Sequence, residues 1–142
     1  MAKTLMYRLF GLGRIPKQAM AILETEGIVY QEEEIPASIS FRNFRSPSRR
    51  SGYRRNWFSG SIVITKLHFL AFAGTKTMIG LSWDDEKLGA LSCTMDDKSR
   101  LRIDYDASTF NDDWSGDIEL CYRSDDTATI LGIIKDKQNK LR

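Results

Sequence analysis

Histidine is almost missing from this chain: His68 is the only one in 142 residues. That excludes the His-rich zinc sites and leaves no second imidazole for a proton relay. Cysteine is scarce as well. Cys93 and Cys121 each lie in an apolar, strand-like run, without the close spacing of a metal or redox motif. They read as small buried hydrophobes rather than as a disulfide. Long apolar runs are absent too. None approaches the ~20 residues that span a bilayer. The longest lies near residues 67–73 and is interrupted by His68. The first twelve residues are apolar around Lys3 and Arg8 and lead to no small-residue cleavage pattern, which makes a poor secretory signal. The expectation is a cytoplasmic protein, with a peripheral membrane position left open.

The motifs of common chemistries are also missing. Gly11 and Gly13 form a GxG pair with no third glycine and no preceding strand, so the dinucleotide reading fails on context. Trp114, Ser115 and Gly116 lack the G-x-S-x-G frame of a nucleophile elbow. Acidic residues come in pairs, at Asp84/Asp85, Asp96/Asp97, Asp104/Asp106, Asp112/Asp113 and Asp125/Asp126. Most sit where a turn or a helix start is expected, and Asp suits both. Residues 104–117 lack the glycine and glutamate that a calcium loop needs at its sixth and twelfth positions. Nothing nominates a catalytic group, a metal site or a cofactor, and no enzymatic activity is expected.

What is present is charge, unevenly placed. Residues 1–81 carry twelve Lys/Arg and five Asp/Glu, residues 82–126 five and thirteen, and residues 127–142 four and one. Such asymmetry either pairs within the fold or makes a polar face for a partner.

The chain length suits one domain of common size. Pro16 opens a short helix whose stripe is Ile15, Ala19, Ile22 and Leu23, and Gly27 stops it. The stretch before it is an arm that packs on the domain, an interfacial membrane anchor, or disordered. From residue 28 the grammar becomes that of strands. Residues 28–35 and 37–44 read as strands separated by Pro36, with Ile39 and Phe41 on one face. Residues 45–56, rich in Ser, Arg, Gly and Pro, read as a loop. Strands follow at 57–65, at 67–73 (buried on both faces), at 77–83, and at 88–95 with Leu91, Cys93 and Met95 on one face. Residues 100–106 alternate most cleanly, with Leu101, Ile103 and Tyr105 inward. A loop over 107–116 leads to Ile118, Leu120 and Tyr122. The chain ends in a helix capped by Ser124 or Asp125, with Thr127, Ile130, Leu131 and Ile134 as its stripe. Lys135, Lys137 and Lys140 complement its negative end. The tally is seven or eight short strands and a C-terminal helix. The expected fold class is mainly β: a barrel of about seven antiparallel strands capped by that helix.

The strongest local signal is arginine. Arg42, Arg45, Arg49, Arg50, Arg54 and Arg55 fall within fourteen residues that contain no acid. Phe41, Phe44, Tyr53 and Trp57 flank or interleave them. Guanidinium forks bind phosphate or carboxylate bidentately. The candidate binding residues are therefore Arg45, Arg49, Arg50, Tyr53, Arg54, Arg55 and Trp57, with Tyr53 and Trp57 supplying apolar contact. The expected ligand is an anionic lipid surface or an acidic protein segment. A nucleic-acid-binding β-barrel, with the aromatics stacking on bases, is the alternative. A protein-interaction domain whose arginines pair internally, against Glu32, Glu33 and Glu34 or the acidic second half, is the other.

The run Gly60, Ser61, Ile62, Val63, Ile64, Thr65, Lys66, Leu67, His68, Phe69, Leu70, Ala71, Phe72 resembles the strand–turn–strand signature of bacterial pleckstrin-homology-like and GRAM-like domains. The whole chain also looks like a bacterial family with an RNF segment, a basic loop and a WFSG segment, here Arg42, Asn43, Phe44 and Trp57, Phe58, Ser59, Gly60. The resemblance implies a PH-like β-barrel with its C-terminal helix over residues 27–142, preceded by an N-terminal arm and helix over residues 1–26. It implies binding of phosphoinositides, peptides or partner domains.

Overall fold

The computed structural model describes residues 24–141. The segment before residue 24, with the GxG pair and most of the expected first helix, lies outside the described residues. Residues 24–26 are helical. Gly27 ends the helix at φ +87°, a conformation glycine adopts without steric cost.

The fold is mainly β, as expected. Its seven strands are β1 (Ile28–Ser46), β2 (Arg49–Thr65), β3 (His68–Ala73), β4 (Lys76–Ser82), β5 (Ser92–Met95), β6 (Leu101–Asp106) and β7 (Ser115–Tyr122), followed by the C-terminal helix α1 (Thr127–Lys140). The strands hydrogen-bond in the order β4-β3-β2-β1-β7-β6-β5. Two compact units share the long strands β1 and β2. Among the described residues, one holds the chain up to Pro36 with Phe58–Asp85, the other Ala37–Trp57 with the chain from Glu86 onward.

In the first unit, β2 pairs with β3 through Ile62↔Ala71 and Ile64↔Phe69, and β3 pairs with β4 through Phe69↔Leu81. Ile62, Ile64, Phe69, Phe72 and Ile79 are fully buried. Trp83 stacks on Phe69 at 5.9 Å and donates its indole N–H to the Thr65 carbonyl at 2.9 Å, which satisfies a polar atom that would be costly to bury alone. In the second unit, the alternation of residues 101–105 is borne out. Leu101, Ile103 and Tyr105 sit opposite Tyr122, Leu120 and Ile118, and all six are buried. Thr127, Ile130 and Ile134 of α1 are buried as well, while Leu131 is half-buried. Ser124 and Asp126 share the helix start. The Ser124 hydroxyl accepts the Asp126 N–H at 2.9 Å, and its carbonyl accepts the Thr127 hydroxyl.

Several expectations need correction. Residues 45–56 are not a loop: β1 runs to Ser46 and β2 starts at Arg49, so only Pro47 and Ser48 turn the chain. Pro36 does not interrupt β1. The β1–β7 ladder begins at Ala37, so the amide that Pro36 lacks is not needed there. Residues 86–90 form a 3-10 turn, and only Ser92–Met95 is strand. Leu88 and Leu91, three apart, suit a 3-10 turn whose side chains eclipse at that spacing. Cys93 is buried and Met95 at the strand's end is exposed. In the stretch 67–73, Leu67 is exposed and His68, Leu70 and Ala73 are half-buried, so the strand is not buried on both faces. Residues Ala107–Thr109 are a 3-10 turn whose first amides are capped by Asp106, which accepts the Ser108 N–H at 2.8 Å.

Candidate functional site

The arginine cluster lies on a two-stranded arm made by the ends of β1 and β2 in the second unit. Two features attach the arm. Asn43 adopts φ +51°, and the β1–β7 register shifts between Arg42 and Arg45 there. This bulge re-aims the side chains beyond it. Opposite stands Gly116 at φ +105°. A Cβ on it would lie 2.6 Å from the Asn43 carbonyl oxygen and 2.7 Å from that of Arg42. Only glycine lets β7 come this close.

The arm has two chemically different faces. On one, Phe41 and Phe44 pack at 4.8 Å and Phe44 meets Trp114 edge-on at 5.3 Å. The Arg54 guanidinium lies over the Phe41 ring at 5.3 Å, a cation–π arrangement. Arg54 is thus half-buried against aromatics, and its buried Nε finds no partner among the described residues.

On the other face, Arg55 donates from Nε to the Ser40 hydroxyl at 3.0 Å and lies over the Trp57 ring at 5.6 Å. Tyr53 and Trp57, two residues to either side of Arg55 in β2, share its face. Both are largely exposed, at 57% and 66%. Ser40 sits opposite Glu119, and Glu119 opposite Asp104, so this face continues across β7 and β6. Glu119 accepts from Arg102 at 2.6 Å, and Arg42 approaches it to 3.9 Å. Asp104 lies 4.0 Å from Arg102. Burial, and then the neighbouring Glu119 carboxylate, lifts the Asp104 carboxyl above its ordinary 3.8. Ser40, Arg42, Asp104, Asp106, Asp117 and Glu119 line a shallow cavity of about 270 Å³ here.

The tip is different again. Arg45, Arg49 and Arg50 are exposed, and none of their guanidiniums has a hydrogen-bond or ion-pair partner among the described residues. The structure therefore divides the candidate residues into three free tip arginines, an outward Tyr53–Arg55–Trp57 stripe, and Arg54 on the aromatic face. Ser40, Arg102, Asp104 and Glu119 were missed as site residues. The signal for Arg102 and Asp104 was the outward half of the alternation over 100–106. Their joining to the arm depends on the β1–β7–β6 register, which no local pattern carries.

Among the described residues no group of three or more His, Cys, Asp or Glu is arranged to hold a metal ion. No described helix is long and apolar enough to cross a membrane. The molecule belongs to the class of seven-stranded antiparallel sheets followed by a C-terminal helix. Comparison with protein-family models, curated proteins and solved structures finds no match.

Proposed function

We propose that this chain is a pleckstrin-homology-like binding module whose arm tip docks on an anionic membrane surface, with Arg45, Arg49 and Arg50 meeting lipid phosphates. The observation that carries this is the set of three tip arginines, all exposed and without an internal partner. A guanidinium without an internal partner is available to a phosphate or carboxylate, which its planar fork binds bidentately. The seven strands and C-terminal helix agree with the PH-like resemblance, which favours a binding role over an enzymatic one.

Vesicle co-sedimentation tests it, with anionic against neutral vesicles at low and physiological salt and single-stranded DNA as competitor. Binding to anionic vesicles alone is expected, weakening with salt. Each arginine near the surface contributes about 1 kcal/mol. Arg45→Glu, Arg49→Glu and Arg50→Glu together therefore weaken binding by more than about a hundredfold. Equal binding by the triple variant ends the proposal. Loss of binding to the DNA competitor favours a nucleic-acid ligand, and no vesicle binding at either salt favours an acidic protein segment.

A further inference from the structure

The tip makes no use of the outward face at the base of the arm. That face is polarised sideways. On the β2 side it carries Tyr53, Arg55 and Trp57, a cation between two exposed aromatics. On the far side of β1, strands β7 and β6 present Asp117, Glu119, Asp104 and Asp106. Arg42 and Arg102 are the guanidiniums that reach these carboxylates: both approach Glu119, and Arg102 also lies 4.0 Å from Asp104. Asp117 has no ion-pair partner among the described residues, and Asp106 is held by the Ser108 amide and hydroxyl. The carboxylates thus outnumber the cations among them. Neighbouring strands lie about 4.8 Å apart, so the basic stripe on β2 and the acidic row on β7, two spacings away, fall within about one Debye length.

We propose that this face is where two copies of the chain meet, about a two-fold axis parallel to β1. Rotation about that axis exchanges the two sides of β1. It lays the Tyr53–Arg55–Trp57 stripe of each copy over the carboxylates of the other, so the same contact forms twice, as an isologous interface requires. A two-fold axis across the strands would instead set stripe on stripe and acid on acid, which like charges disfavour. The partner's chemistry is therefore that of the face itself: a cation flanked by aromatics, spaced by strand geometry. Arg55, already stacked on Trp57 and hydrogen-bonded to Ser40, is pre-ordered and loses little freedom on docking. Trp and Tyr are the residue types that anchor such interfaces. The same rotation leaves strand direction unchanged, so both arm tips point the same way. One dimer then offers both sets of Arg45, Arg49 and Arg50 to a single surface.

Sedimentation velocity across a concentration series, at about 0.01 M and about 1 M salt, tests the inference on the full chain. A dimer at low salt that dissociates at high salt is expected. Arg55→Glu alone and Asp104→Arg alone each weaken the dimer about tenfold or more. Mixing the two variants in equal amounts restores a one-to-one heterodimer, because the reversed stripe of one then meets the reversed face of the other, and the native stripe of the second meets the native acids of the first. Trp57→Ser, at an exposed position, weakens the dimer without changing any charge. Wild-type chain that stays at monomer mass at low salt overturns the inference. So does a dimer that Arg55→Glu and Trp57→Ser both leave intact, or a mixture that fails to re-associate while each variant keeps wild-type thermal unfolding. The tip arginines lie outside this interface, so vesicle binding and dimer formation fail separately.

Discussion

Gly116 is the residue on which the attachment of the arm turns. Its φ of +105° and the 2.6 Å approach of the Asn43 carbonyl leave no room for a Cβ. Gly116→Ala is expected to lower stability by about 1–3 kcal/mol through backbone strain and displacement of the Asn43 bulge, read as a shift in the urea midpoint. An unchanged midpoint would show that β7 relaxes freely there. His68, in its apolar run, is half-buried and has a specific partner. Its Nδ1 lies 2.9 Å from Glu26 Oε2, and the same oxygen accepts the Thr65 hydroxyl at 2.8 Å. Thr65 Oγ1 in turn accepts the His68 and Leu67 amides. Hydrogen bonds from His68, then from Thr65, hold the Glu26 carboxyl below its ordinary 4.5. A carboxyl lowered in the fold contributes stability in full above its unfolded value and loses it as pH falls through the lowered folded value. Unfolding midpoints of wild type and Glu26→Gln should therefore differ at neutral pH and converge in acid. A gap that stays constant down to strongly acidic pH would contradict this.

At the scale of elements, α1 is joined to the start of β5 by a side chain that no pattern in the sequence nominates. The Gln138 amide donates to the carbonyls of Leu88 and Leu91, both at 2.9 Å. Those carbonyls belong to the 3-10 turn and its exit, where backbone acceptors lack a ladder. Gln138→Ala leaves both without that donor, at a cost of about 1–2 kcal/mol. Faster amide exchange at the end of α1 should accompany it in hydrogen-exchange measurements, and an unaltered exchange pattern would rule out this tether. The stretch 88–95 was misread for the same reason. Leu88, Leu91 and Cys93 are apolar and close together, which suits a strand, and only the turn geometry shows that Leu88 belongs to a 3-10 segment and Leu91 to its exit. The arm was misread because composition outweighed pairing: Ser, Arg and Gly favour a loop, yet β1 and β2 extend through them as neighbours in the sheet.

Across the whole molecule, the two cysteines behave as their sequence context indicates. Cys93 and Cys121 are both buried and unbridged. Burial pushes the Cys93 thiol up to about 12 and raises that of Cys121 as well. A buried thiol is a poor nucleophile because the thiolate is the reactive form. Both are expected to react with an aromatic disulfide reagent only as fast as the fold opens, and a reductant should leave the thermal midpoint unchanged. Rapid labelling of native protein would contradict this.

The sequence by itself determined the β class, most of the strands, the C-terminal helix and the existence of an acid-free arginine cluster. These properties are local. Alternation with a period of two is written in consecutive residues, as at Leu101, Ile103 and Tyr105, and so is a helical stripe such as Ile130 and Ile134. Tertiary structure alone decided which arginines are free. Arg42 reaches Glu119, Arg54 turns onto Phe41, and Arg55 is held by Ser40, while Arg45, Arg49 and Arg50 are left at the tip. The physical reason is register. The Asn43 bulge and the close approach of Gly116 set which residues of distant strands stand opposite one another, and a shift of one residue would send every side chain to the other face.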